Sequence, residues 1–218
     1  PRYYFTCILQ RITTKTAMLN TDVNVLDPIR RSKIKSYVED IKELVYGEEI
    51  NRGVLNSIME RLLLLAKDKK LFNADIFPVK EGDGSSSLYL LSEEADHTFA
   101  LYVVSELKGN MSPPHDHTTW AVIAGIEGEE VNKFYKLDKP PAENGKADIF
   151  EYTSKVVADG TGIALMPNDI HSIHCLTDAP TLNFHFYGKS IEHLPDRKAF
   201  NMKLGTYKTF PANPHIHK

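Results

Sequence analysis

Residues 162–187 read GIALMPNDIHSIHCLTDAPTLNFHFY, and the reading of this stretch decides the fold. It holds three short runs, 162–166, 171–176 and 181–187, in which apolar residues alternate or cluster with β-branched and aromatic ones. Turn signals separate the runs, and no helical pattern intervenes. In the turn Met166-Pro167-Asn168-Asp169, Asn168 can take the left-handed conformation that such turns often require. The last run places Leu182, Phe184 and Phe186 on one face and Asn183, His185 and Tyr187 on the other. In a small barrel both faces of a strand can be covered, so the polar face either meets solvent or lines a pocket.

Upstream the same texture continues. Strands are expected at 87–91, 98–107, 119–126, 130–137 and 147–157, which with the three above makes eight. Eight short strands with turns and no intervening helices imply a sandwich or a jelly-roll barrel. The texture changes at Phe77-Pro78, where Gly82-Asp83-Gly84 and three serines mark a loop. Before it, Ile29, Ile34, Tyr37, Ile41, Leu44 and Val45 fall near helical spacing. Asp27 before Pro28 reads as an N-cap and Gly47 as a stop. A second helix is expected over 54–67, with Leu55, Ile58, Met59, Leu62, Leu63 and Leu65 on its apolar face. Beyond Ile191 the chain reads as irregular, and His215-Ile216-His217 as a loose tail. The expectation is one mainly β structural domain: a helical extension over 1–78 packed on a barrel over 79–218.

The composition is that of an ordinary globular chain. Of 218 residues, 42% are hydrophobic and 25% charged, enough to bury a core without disulfides. A net charge of −3 leaves no electrostatic footprint for nucleic acid. No apolar run approaches a membrane span, and Pro1 to Arg11 lack the apolar core of a secretory leader. Two cysteines, Cys7 and Cys175, form no disulfide framework or zinc knuckle, and a cytoplasmic protein is expected.

Histidine carries the chemistry. Five of the nine, His115, His117, His171, His174 and His185, fall in the barrel half at strands or strand edges. His115-Asp116-His117 puts two imidazoles on one face of an extended segment, where one metal ion can reach both. By itself this pattern is also that of two hydrogen-bonded surface histidines. His171, delivered by the Met166–Asp169 turn, is a third imidazole for the same barrel, whereas His174 falls on the opposite face. Cys175 reads as a small packed hydrophobe. Asp116 and Asp169 are expected to face away from the metal and to orient ligands from behind.

Pro114-His115-Asp116-His117-Thr118, Trp120, Gly125 to Gly128, Asn168-Asp169-Ile170-His171 and His185-Phe186-Tyr187-Gly188 together resemble the thiol dioxygenases of the cupin superfamily. That group contains cysteine dioxygenase and 3-mercaptopropionate dioxygenase, and the resemblance extends to its helical N-terminal extension. It implies a cupin double-stranded β-helix holding Fe(2+) on His115, His117 and His171, with dioxygen as co-substrate and a small thiol as substrate. No glutamate follows the first pair as a fourth ligand. The metal charge would then stay uncompensated, which favours a thiolate. The product would be a sulfinic acid. Asn183, His185 and Tyr187 match an outer strand that in the family reads Ser-His-Tyr, with Tyr187 bonding the bound oxygen or substrate and His185 orienting the phenol. Neither cysteine stands where a tyrosine crosslink would need it. The stretch Ser85–Tyr89 lacks the family's arginine or glutamine for a substrate carboxylate, and Arg197 is the candidate in its place. Two other readings stay open: a different three-histidine cupin dioxygenase, for instance one cleaving a diketone, and a non-catalytic metal-binding cupin.

Overall fold

A computed structural model describes residues 26–142, 145–212 and 215–218. Cys7 and the Pro1–Arg11 stretch lie outside the described residues. Two helices, α1 over 26–45 and α2 over Arg52–Ala66, precede the strands β1 (Ser86–Ser92), β2 (Thr98–Glu106), β3 (Ala121–Glu127), β4 (Glu129–Leu137), β5 (Ile149–Ala158), β6 (Gly162–Leu165), β7 (Ile170–His174), β8 (Thr181–Lys189), β9 (Lys198–Asn201), β10 (Thr206–Thr209) and β11 (Ile216–His217).

The pairing defines the barrel. One sheet runs β11-β1-β2-β8-β3-β6 and the facing one β5-β4-β7. The segment 109–117 extends the second sheet along β7: Gly109 N–H donates to Cys175 O, Ser112 N–H to Ile173 O, and His115 and His171 exchange both backbone hydrogen bonds at 2.8 and 3.0 Å. Taken in chain order, β2 pairs β8, 109–117 pairs β7, β3 pairs β6 and β4 pairs β5. First with last, second with seventh, third with sixth and fourth with fifth is a long antiparallel hairpin rolled into two sheets, the cupin-type jelly roll.

The strands expected from sequence all form, but one role moves. The strand at 87–91 lies outside the roll as an edge neighbour of β2, and 109–117 supplies the eighth strand. Pro113 and Pro114 withhold two ladder donors, so this strand leaves no regular sequence pattern. The C-terminal segment is not irregular either. β9 pairs β10, Ala199 bridges to His115, and β11 pairs in parallel with β1 while His217 Nε2 sits 2.6 Å from Asp83 Oδ2. Asp27 is not an N-cap: α1 is already helical at 26, and the carboxylate binds Arg30 and Arg31 one turn on. The cap that does appear is Asn51, whose side chain accepts from the N–H groups of Gly53 and Val54, starting α2 at Arg52.

Both helices cover the outer face of the larger sheet. Ile34, Tyr37, Ile41, Leu55, Ile58 and Leu62 share one buried cluster with Val122, Ala124, Leu182, Phe184 and Phe186. Burying each such side chain contributes roughly 1.5–3 kcal/mol. The apolar face of β8 is therefore spent on the helices, and Asn183, His185 and Tyr187 are left facing the barrel interior, all three buried. Among the described residues no helix is long and apolar enough to cross a membrane.

Candidate metal centre

The bridge between His115 and His171 brings two imidazoles side by side, and His117 follows on the same extended segment. The ring centroids stand 4.7 Å (His115–His171), 5.0 Å (His115–His117) and 5.0 Å (His117–His171) apart. The planes are inclined at 48–81°, so in-plane lone pairs can converge. One nitrogen from each ring lies within 4.8 Å of the others. His115 Nδ1 is 2.9 Å from Pro113 O and His171 Nδ1 is 2.8 Å from Asn132 Oδ1. His171 Nε2 and His117 Nδ1 are buried with no protein partner. A buried polar atom left unpaired costs about 1–3 kcal/mol, which a metal ion bound there would offset. Burial holds His115 down to about 3, and burial plus the neighbouring imidazoles hold His117 and His171 well below the usual histidine range. Neutral imidazole is the form that ligates.

Two other clusters bring possible ligand atoms as close together but are less suited to an ion. Glu93, His97 and His193 lie together, but the two rings stack at 3.5 Å and 12°, so their lone pairs run parallel and cannot meet on one ion. Glu106, Glu130 and Cys175 are buried together with every carboxyl oxygen already bonded. Asn110 Nδ2 donates to Glu106 Oε1 (2.6 Å), Cys175 Sγ to Glu106 Oε2 (3.1 Å), Asn132 Nδ2 to Glu130 Oε1 and Asn183 Nδ2 to Glu130 Oε2 (both 2.8 Å). Cys175 packs in the barrel's hydrophobic core as its type suggests, and it also donates to a buried carboxyl; burial raises its thiol above the usual range.

A turn and a hydrogen-bonded strap position the ligands. Asp169 Oδ2 accepts from Met166 N–H and its Oδ1 from Arg52 Nη2, which fixes the turn before His171 without touching a ligand. Asn168 keeps a negative φ, because this carboxylate closes the turn by itself. Beyond His117 the chain turns at Thr118, a β-branched residue at φ 56° held by its N–H to Pro167 O at 3.0 Å. Asp116 accepts from Lys198 N–H at 2.8 Å, tying the first histidine pair to β9. His174 Nε2 bonds Ser172 Oγ at 2.7 Å, away from the centre.

A cavity of about 460 Å³ reaches the centre from the His115 side, walled by His185, Tyr187, Tyr102, Arg197 and Phe210. A larger cleft of about 530 Å³, over Asp116, Pro140 and Lys198, has no imidazole in its wall. His185 Nδ1 lies 3.0 Å from Tyr187 OH, and burial pushes the Tyr187 phenol up to about 12, so it stays protonated and can donate. The Arg197 guanidinium is buried and stacks over Phe210 at 4.8 Å. It makes one long hydrogen bond, from Nε to Asp116 O at 3.5 Å, and among the described residues no carboxylate lies within ion-pair distance of it. All seven residues singled out from sequence, His115, His117, His171, Asn183, His185, Tyr187 and Arg197, are buried, and His115, His185, Tyr187 and Arg197 share the wall of this cavity. Asn183 stands apart from the others: its amide faces Glu130 rather than His185.

The structure adds Tyr102, Glu106, Glu130, Asn132 and Phe210 to these. Glu130 and Asn132 alternate with Val131 and Lys133, a pattern equally suited to a solvent face.

Fold and site together define a cupin-type barrel with a three-histidine group able to hold a metal ion. No family model matches the sequence, and no curated protein matches it. Solved structures do resemble the fold. The chain is similar to the DMSP lyase DddQ from Ruegeria pomeroyi DSS-3, at 16% identity and a TM-score of 0.37 over 52% of this chain and 53% of that one. It is similar to the hydroquinone 1,2-dioxygenase PnpCD at 11% identity and a TM-score of 0.40, over 59% of this chain and 76% of that one. A Cupin_2 domain of an XRE family transcriptional regulator from Enterobacter cloacae aligns at 11% identity and a TM-score of 0.35, over 49% of this chain and 98% of that domain. The chain spans about half the length of the first of these. Such likenesses carry no argument about activity, and the fold assignment stands on the strand pairing above.

Proposed function

We propose that the chain is a thiol dioxygenase that uses Fe(2+), held by His115, His117 and His171, to convert a small anionic thiol into its sulfinic acid. The observation that carries this reading is Arg197, a buried guanidinium with no carboxylate at ion-pair distance among the described residues, in the wall of the cavity that His115 also lines. A buried guanidinium that Asp116 meets only at longer range is costly, and a carboxylate-bearing ligand in the cavity supplies a direct partner. The three imidazoles are neutral and add no negative charge, so an anionic sulfur is favoured at the centre. Held by these three residues, ferrous iron would supply the redox chemistry that dioxygen needs to react with a thiolate; both oxygen atoms end on the sulfur, which loses four electrons as dioxygen gains four. Tyr187 offers its phenolic hydrogen to the reacting groups and His185 Nδ1 holds that hydroxyl in place. Phe210, its ring centroid 4.9 Å from that of His115, adds an apolar wall to the cavity. Carboxylate at Arg197 and sulfur at the histidines select a short mercapto acid, of the cysteine or 3-mercaptopropionate kind.

The test is oxygen consumption by iron-reconstituted protein with cysteine, cysteamine and 3-mercaptopropionate, beside a His115→Ala control. The expected result is uptake with the two acids, sulfinate as product, weak turnover of cysteamine and none in the control. Fully iron-loaded protein that consumes no oxygen with any thiol would overturn the reading, and diketone substrates would be tried next.

A further inference from the structure

Behind His171 runs a buried polar chain that the reaction above does not use. Glu130, Asn132 and Asn183 each have 0% exposure, so no solvent satisfies their polar groups. Both carboxyl oxygens of Glu130 face amide nitrogens, Oε1 that of Asn132 and Oε2 that of Asn183, each at 2.8 Å. An amide turned the other way would set oxygen against oxygen in a buried site, so Glu130 dictates the orientation of Asn132. With its nitrogen committed to Glu130, Asn132 presents Oδ1 to His171 Nδ1 at 2.8 Å. An oxygen there can only accept. The hydrogen of the neutral imidazole must therefore sit on Nδ1, and Nε2, buried and without a protein partner, keeps its lone pair.

We propose that Glu130 is a positioning residue of the centre: by fixing the Asn132 amide it sets the tautomer and rotation of His171 and so presents the Nε2 lone pair to a metal ion. The inference rests on the three-histidine reading of the site. Strand geometry makes the link. Glu130 and Asn132 lie two apart on one face of β4, and Asn132 pairs with Ile173 on β7, which puts His171 on the diagonal. Glu130 is itself braced. It contacts the Glu106 carboxyl, which accepts from Asn110 Nδ2 at 2.6 Å and Cys175 Sγ at 3.1 Å. Burial raises Glu130 well above the usual carboxyl range, consistent with a hydrogen held between the two acids. The anchor of a metal ligand is thus a hydrogen-bonded chain that runs on through Glu106 to Cys175.

Three measurements test this. The first needs no metal: nitrogen-15 NMR of the metal-free parent should show His171 as the Nδ1–H tautomer, and an Nε2–H tautomer would overturn the proposal. The second is cobalt(II) titration followed by absorbance. Glu130→Leu frees the Asn132 amide, and cobalt binding should weaken by about 10–100-fold, the usual effect of losing an outer partner of a metal ligand. The third is a rescue. Asn132→Asp has no donor face, so it needs no Glu130 to orient it, and the double variant Glu130→Leu/Asn132→Asp should recover the Nδ1–H tautomer and most of the lost affinity. A purely packing role for Glu130 predicts a double variant no better than the single one, and that outcome, or a folded Glu130→Leu with parental tautomer and affinity, refutes the proposal. If Glu130→Leu does not fold, the parental tautomer and an Asn132→Leu titration decide. A parent that binds no cobalt would sink the three-histidine reading while leaving the tautomer measurement intact.

Discussion

His185 has 4% exposure, and burial, reinforced by the neighbouring His115, moves its pKa from 6.5 to about 3. In the unfolded chain the same imidazole titrates at about 6.5. Between these values the unfolded chain binds a proton that the folded protein refuses. The associated stability is therefore complete above the unfolded value and is lost as pH falls toward the folded one. Going from about pH 7.5 to about pH 4.5, this single residue accounts for a loss of roughly 2.7 kcal/mol. His185→Gln keeps a polar partner for the Tyr187 hydroxyl and does not titrate. Urea unfolding of chelator-treated protein at the two pH values measures the effect. The parent should lose about 2–3 kcal/mol more than the variant on acidification. His115, His117 and His171 shift stability in the same direction and the raised Glu106 and Glu130 in the opposite one; all are present in both proteins, and burial, their largest cause, is common to both, so that only the smaller coupling of His117 and His171 to His185 fails to cancel. Equal acid sensitivity of parent and variant would refute a neutral, buried His185.

Three further outcomes are expected. Tyr187→Phe removes the hydroxyl held at 3.0 Å by His185, and kcat for thiol oxidation should fall by about 10²-fold or more with bound iron unchanged, as metal analysis and steady-state kinetics would show. Phe186→Ala empties a site with 0% exposure, packed against Tyr37 at 5.4 Å and Trp120 at 5.4 Å between centroids, and should cost about 3–5 kcal/mol in denaturant unfolding. Gly188→Ala would set a Cβ 2.4 Å from Trp120 Nε1, where the backbone N–H of Gly188 also holds Trp120 O at 3.0 Å, so its midpoint should drop while Gly160→Ala, with open space around it, should be affected only by its positive φ.

The strand texture is legible along the chain, because alternation and turn chemistry are local. The bounds of β2, β4 and β8 fall within two residues of those read from the residues alone. Also legible is which side chains could be ligands, since an HxH pair on an extended segment shares a face whatever the fold. Tertiary structure decided the rest. The strand 109–117 has prolines where ladder donors should be, and only its pairing with β7 reveals it as the eighth strand of the roll. Whether the Asn183-His185-Tyr187 face met water or a pocket was undecidable along the chain, and the helices settled it by covering Leu182, Phe184 and Phe186 on the other side. Arg197 acquires meaning only when β9 is laid against His115, because an unpaired buried charge is a property of surroundings and not of residue type. Glu130 and Asn132 show the same limit most sharply. Polar residues at alternate positions read as a solvated face, and only the closed barrel, which removes the water, turns them into a fixed chain of hydrogen bonds behind a histidine.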